Sequence, residues 1–343
     1  MEWSERSFPV SMPHMIPDQL SEVELLKILA EAQWQYISTV LERPQQKIVN
    51  DQGERLYGSV INVDVCFRTK TPMDLGEGTH LHIYNAAQFY SRRFVEGFFC
   101  VNDAPLPPVT LQAVRSKEDL EKLTVPWAYI TMAFVAREES NQRLKTFAPA
   151  GAEYGKEFTT DVVPSGIRDH EMVERTGAVT LPGLELALPV ENPGRDEVTY
   201  DIVPESDLNG AGLLYFARYV AIANYGERLF LRQGSRVQIT TRLIRLLTTI
   251  KRRVFYFANA NESDSVKIRI NAFVLRPQER AAVSATSVTP LTFYFVTELR
   301  RESDGTLMAK LVTQKDLTIS KGIKSLILEA GRIAQQFRLP PEE

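Results

Sequence analysis

Cysteine and histidine are scarce in this chain: Cys66 and Cys100 are the two cysteines, and four histidines are spread over 343 residues. Without paired-Cys spacing or clustered histidine, neither a disulfide framework nor a zinc site is indicated, and reduced thiols in a cytoplasmic protein are expected. No run of about 18 apolar residues occurs, which excludes a sequence-evident membrane helix. The start, Met1-Glu2-Trp3-Ser4-Glu5-Arg6, carries acid and no apolar core follows, so no export signal is expected. An excess of charge of one sign is missing too: 40 basic against 43 acidic side chains give a net −3. That balance offers no reason to expect nucleic acid or an anionic membrane as partner. What is present is 44% apolar and 24% charged residues, ordinary globular material sufficient for two domains of about 150 residues each.

The most informative stretch is Asp207-Leu208-Asn209-Gly210-Ala211-Gly212-Leu213-Leu214-Tyr215-Phe216-Ala217-Arg218-Tyr219, a glycine-rich helix start joined to an apolar helix. Leu20-Ser21-Glu22-Val23-Glu24-Leu25-Leu26 aligns with it from Leu208 onward, which suggests two related halves. In the first half, Leu25, Leu29, Ala32 and Tyr36 fall at helical spacing over 20–41, Ser21 and Glu24 fit a capping box, and Pro44 limits continuation. Strand-like runs follow at 57–67, 78–84, 89–101 and 127–135. The second half repeats the order: a helix over 209–231, strands near 237–247, 252–259, 266–275, 291–300 and 307–313, and a hairpin turn at Asp304-Gly305. Residues 138–196 are rich in Gly, Pro and charge, including Asn192-Pro193-Gly194-Arg195, and read as a linker or long excursion. An amphipathic helix over 321–337 and a frayed Pro340-Pro341 tail close the chain. One long helix followed by a sheet that must bury it, present twice, predicts an α+β tandem hot-dog fold. The divisions expected are 1–150 for the first domain, 151–195 for the excursion and 196–343 for the second domain.

Several residues could carry chemistry. Hot-dog domains that use thioesters commonly place the thioester carbonyl at the start of the central helix, where unpaired N–H groups favour developing negative charge, so both helix starts are candidate sites. Asn209 is expected as the N-cap of the second helix, with Gly210 and Gly212 letting a ligand approach the backbone, though a tight cap explains them equally well. His14 precedes the first helix start; a structural histidine is an equal reading. Glu24 is accounted for by the capping box and Glu22 by the favourable first turn, which leaves Glu22 a minor part as general base. His80 and His82 share a strand face, and a core or surface pair is favoured over a metal site. Tyr57 is followed by the small Gly58 and Ser59, which leave room for a ligand at the phenol, although a satisfied buried tyrosine is commoner.

Met12-Pro13-His14-Met15, Leu20-Ser21-Glu22 with Leu25-Leu26, and Tyr57, together with Leu208-Asn209-Gly210-Ala211 and Leu214-Tyr215-Phe216-Ala217-Arg218, resemble the bifunctional acyltransferase/decarboxylase family of the leinamycin polyketide pathway. The resemblance covers both halves and implies a double hot-dog fold. It further implies that methylmalonyl from coenzyme A is taken up on a tyrosine, here Tyr57, decarboxylated, and delivered as propionyl to an acyl carrier protein. His14 would then assist Tyr57, amides near Ser21 and Glu22 would stabilise the enolate, and Gly58, Ser59, Asn209 and Gly210 would line the substrate site. The partners expected are an acyl-coenzyme A and an acyl carrier protein; a homodimer is left open, and the scheme needs no metal, flavin or other cofactor. A hot-dog dehydratase or thioesterase is the enzymatic alternative, and a non-catalytic acyl-carrier-binding protein is the alternative from another class.

Overall fold

A computed structural model of the chain describes residues 1–136, 145–151, 158–159, 162–191, 197–234, 237, 239–275 and 287–337. The first half comprises β1 (Ser4–Pro9), β2 (Met15–Ile16), β3 (Gln19–Leu20), α1 (Glu22–Val40), β4 (Leu56–Cys66), β5 (His80–Tyr90), β6 (Phe94–Asn102), α2 (Pro108–Gln112), α3 (Lys117–Lys122) and β7 (Trp127–Ala136). Between the halves lie β8 (Lys145–Thr146), β9 (Phe158–Thr159), α4 (Ser165–Thr176) and β10 (Leu188–Pro189). The second half comprises β11 (Glu197–Asp201), α5 (Pro204–Asp207), α6 (Phe216–Leu229), α7 (Thr241–Ile244) and β12 (Leu247–Tyr256). It ends with β13 (Ser265–Leu275), β14 (Ser287–Arg301), β15 (Leu307–Ser320) and α8 (Lys324–Gln336).

Both halves share one sheet, ordered β1-β5-β6-β7-β4-β12-β15-β14-β13-β10. The halves join at the antiparallel β4–β12 seam, in register from Cys66 opposite Lys251 to Asn62 opposite Phe255. Helix α1 packs on β5 and α6 on β13 and β14, and the two helices touch each other. Their core combines Leu25, Leu26 and Leu29 of α1 with Val220 and Ala223 of α6 and with Val63 and Ile130 of the sheet. Each leucine, isoleucine or valine among them contributes about 1.5–3 kcal/mol by leaving water. The opposite face of the first-half sheet buries Phe98, Cys100 and Tyr129 against Leu111 of α2 and Leu120 of α3, and α4 lies on β4, β7 and β12. Covered on both sides, β7 is buried at every residue, which explains its uninterrupted apolar run. No helix among the described residues is long and apolar enough to cross a membrane.

Several local expectations change. The Ser21 hydroxyl accepts from the Glu24 N–H at 3.3 Å, but the Glu24 carboxylate pairs with Lys27 at 2.8 Å and the Ser21 N–H donates to the His14 carbonyl. The capping box is therefore half formed, because a backbone acceptor already serves the Ser21 N–H. Asn209 does not cap α6: its Oδ1 accepts from the Ala211 and Leu213 N–H groups, which folds residues 209–213 into a turn with Gly212 at φ 69° and delays the helix to Phe216. The structurally matched caps are consequently Ser21 and Tyr215. The 89–101 run is divided by a tight turn with Ser91 and Arg92 at φ 49° and 58°, and the 237–247 run contains helix α7, capped by Thr240. The Asp304-Gly305 turn is present, with Gly305 at φ 72°. Asn192-Pro193-Gly194-Arg195 and Pro340-Pro341 lie outside the described residues.

Candidate active site

The β4–β12 seam is short, and its strands part at the end toward Leu56. Past the Asn62–Phe255 pair, residues 58–61 and 256–259 become two lips of a cavity of about 410 Å³. An adjoining chamber of about 250 Å³ reaches toward α1 and shares Gly58, Val60, Asn209, Leu213, Tyr215 and Phe216 with the first. The start of α6 thus stands in both cavities, and His170, Glu171 and Glu174 of α4 line the larger one.

That helix start offers free donors. Tyr215 gives no side-chain cap, and among the described residues no acceptor meets the Phe216 or Ala217 N–H groups. The preceding turn is held rigidly. The Leu214 N–H donates to Asn259 Oδ1 at 2.9 Å, and buried Asp207 accepts from the Val203 N–H, Tyr200 and Arg218. Burial would raise the Asp207 carboxyl, but these donors and the Arg218 charge hold it below the usual range, so Asp207 is committed to the turn. Burial, with Glu24 and Glu31 nearby, pushes the Tyr215 phenol up to about 12; Tyr215 therefore stays protonated.

His170 Nε2 lies 2.8 Å from the Tyr256 carbonyl. A carbonyl can only accept, so Nε2 carries the hydrogen, and Nδ1 is the ring nitrogen left to act as a base. The ring centroid is 4.6 Å from that of Phe257. Two carboxylates, one buried and one half-buried, hold α4 in place. At its first turn the Glu96 carboxylate accepts from Tyr129, Ser165 and the Gly166 N–H. Beside His170, Asp169 pairs with Arg253 at 2.6 Å and Lys117 at 2.8 Å, and both cations also pair with Asp64. Burial pushes the Asp64 carboxyl up, yet Lys117 and Arg253 outweigh it and leave Asp64 below the ordinary carboxylate range.

Of the residues proposed from sequence, Tyr57, Gly58, Ser59 and Asn209 line this pair of cavities. The Arg55 guanidinium stands 5.0 Å from the centroid of the Tyr57 ring, and among the described residues the Tyr57 hydroxyl has no hydrogen-bond partner. Gly210 sits in the turn with open space where a Cβ would be and is not among the lining residues. His14, Ser21 and Glu22 are elsewhere, at the opposite end of the seam. Gly58 abuts Trp34, and Trp34 lies about 20 Å along α1 from Ser21 by helical rise, while His14 accepts the Ser21 N–H. The expected cooperation of His14 with Tyr57 is thus not met by the fold. His14 instead receives the Ser11 N–H on Nδ1 and packs edge-on against Phe8.

Ser21 and Glu22 line a separate cavity of about 310 Å³. There Glu22 accepts from Arg252 at 2.7 and 3.2 Å and from Thr249 at 3.0 Å, which leaves it no freedom as a base. Fully buried Arg252 also faces Glu227 at 3.5 Å, and Lys315 pairs with Glu227 at 2.5 Å. Burial disfavours charge on Arg252, but Glu22 and Glu227 outweigh that and raise its pKa; at Lys315 burial wins and the pKa falls.

His170 was missed because it lies in the segment read as an excursion. The signal available was the run 165–176, which is amphipathic and ends at Gly177 with φ 65°.

No family profile and no curated protein matches this sequence. Solved structures do match in shape. A protein assigned as an oleoyl thioesterase from Lactobacillus plantarum superposes with TM-score 0.55 at 11% identity, over 92% of this chain and 96% of that one. An acyl-ACP thioesterase from Bacteroides thetaiotaomicron gives 0.50 at 10% identity, over 91% and 97%. The 12:0-ACP thioesterase from Umbellularia californica gives 0.50 at 12% identity, over 93% and 98%. With two helices on one shared antiparallel sheet and these neighbours along nearly its whole length, the chain has an α+β double hot-dog fold.

Proposed function

We propose that this chain is a hydrolase of acyl thioesters, acting in the cavity at the start of α6. The observation that carries the reading is the meeting in one cavity of the uncapped first turn of α6 with His170, a base whose free nitrogen is set by the Tyr256 carbonyl. Nδ1 of His170 takes a proton from water, the hydroxide adds to the thioester carbonyl, and the oxyanion is held by the Phe216 and Ala217 N–H groups and the α6 dipole. Collapse breaks the C–S bond, and the thiolate leaves with the proton from His170, giving a free acid and a thiol. The thioesterase names of the neighbouring structures support this substrate class, on coenzyme A or on an acyl carrier protein.

A second reading rests on Tyr57, whose unpartnered phenol lines the same site beside Arg55. There the acyl group passes to the phenol oxygen and then to a carrier thiol, as the family resemblance implies for methylmalonyl with loss of carbon dioxide. One experiment separates the readings: incubate the chain with several acyl-coenzyme A thioesters, methylmalonyl included, and follow thiol release, free acid and intact protein mass. Free acid with unmodified protein supports hydrolysis. A mass gain on the Tyr57 peptide, lost in Tyr57→Phe, supports transfer. Tight binding without thiol release from any thioester would remove both and leave a binding protein.

A further inference from the structure

The smaller chamber is open on the side of Glu31, Gln45 and Arg55 and walled by packed side chains on its inner side. Where β4 passes α1, Gly58 leaves no room for a side chain: a Cβ there would lie 2.4 Å from Met132 Cε and 2.8 Å from Trp34 Cζ2. Trp34 stands edge-on to Phe134, ring centroids 6.1 Å apart, and Met132 and Phe134 belong to a packed cluster with Ile37, Leu56 and Phe89. Trp34, Met132 and Leu56 therefore form the chamber's wall on the side of that cluster and limit how far an acyl chain can enter there.

Gln33 also lines the chamber. It is 1% exposed, and its Nε2 has no hydrogen-bond partner among the described residues. The sheet makes space for this amide by placing Gly97 opposite, since a Cβ at Gly97 would lie 2.8 Å from Gln33 Cδ. A buried amide donor without an acceptor is costly, and a leucine or methionine would fill the same place without that cost. The Nε2 atom is itself covered, so a turn of the amide toward the chamber would bring it to a ligand oxygen there.

We infer that the chamber receives a short acyl group carrying an acceptor oxygen beyond the thioester carbonyl, with Gln33 Nε2 as the donor that reads it. This rests on the proposal that the α6 cavity handles acyl thioesters. A site built to donate to a substrate oxygen discriminates against the analogue lacking it far better than an apolar pocket discriminates by size.

The test compares acetoacetyl-, butyryl- and dodecanoyl-coenzyme A as substrates. It adds binding of their non-cleavable thioether analogues, read by tryptophan fluorescence. Acetoacetyl is expected to exceed butyryl in kcat/KM by on the order of ten- to a hundredfold, with dodecanoyl the poorest. Gln33→Met should bring the acetoacetyl-to-butyryl ratio to about one while melting at the same temperature or higher, because an unpaired donor is gone. Gly97→Ala, which displaces the same amide, should lower the ratio if Gln33→Met fails to fold. Trp34→Ala should move the preference toward dodecanoyl. Butyryl equal to or better than acetoacetyl in the unaltered chain, or a ratio that survives Gln33→Met, would overturn the inference. No turnover of any thioester, with Gln33-dependent binding of the oxygenated analogue, would sink hydrolysis and leave the chamber's preference standing; failure of both analogues to bind would sink the preference itself.

Discussion

A central helix begins beside a cavity near each end of the β4–β12 seam, yet α1 begins with Glu22 where α6 begins with Phe216. The α1 end is capped by Ser21 and holds Glu22, Arg252, Glu227 and Lys315, joined by three ion pairs of which Glu22–Arg252 ties the first half to the second. The α6 end has no side-chain cap, two free amides and a histidine opposite. Related architecture serves at one end as a rivet and, in the function proposed above, at the other as a place for a ligand. The difference lies at two adjacent positions: Ser21 caps α1 and the carboxylate after it pairs with a buried arginine, whereas Tyr215 gives no cap and Phe216 leaves the helix dipole uncompensated.

The comparison breaks most visibly at Arg252. Arg252→Ala would leave Glu22 and Glu227 buried without their shared cation, and a loss of about 3–5 kcal/mol is expected in denaturant unfolding. If stability barely changes, the α1 end is not a rivet. At the α6 end the loss should fall on rate instead: His170→Ala is expected to slow thioester hydrolysis about 10²–10⁴-fold while the melting temperature holds. Equal stability losses from both variants would erase the contrast.

Gly58→Ala sharpens it on a smaller scale. The added methyl must displace Met132 and Trp34, so a cost of about 1–3 kcal/mol and a raised KM are expected together. The smallest effect is at the α1 cap, where Ser21→Ala should cost about 1 kcal/mol and leave thioester turnover unchanged. A pH series adds a check on how α4 is held. The folded-state pKa of Asp64 is depressed, so its contribution is complete above about pH 4, the unfolded value, and is lost as pH falls through the lower folded value. Acid unfolding measured by circular dichroism should therefore be less steep in Asp64→Asn.

The order of elements was readable along the chain because burial imposes periodicity: Leu25, Leu29 and Ala32 mark α1, and alternating runs mark β4 and β5. The cleft residues Tyr57, Gly58, Ser59 and Asn209 were also picked out, since small residues beside a tyrosine and glycines before a helix signal room near the backbone. Local pattern failed where a side chain chose between near-equal partners. Asn209 turned inward to the Ala211 and Leu213 amides instead of capping α6, and Glu24 chose Lys27 over the Ser21 N–H. The sequence by itself determined two helices, their sheet and the small residues that open a cleft, because these depend on neighbours a few positions away. Only the tertiary structure decided which helix start stays open. It set His14 at the far end of α1 from Tyr57, brought His170 to the cleft from the segment between the halves, and paired Glu22 with Arg252. Such meetings depend on where distant strands part, and a chain carries no local record of them.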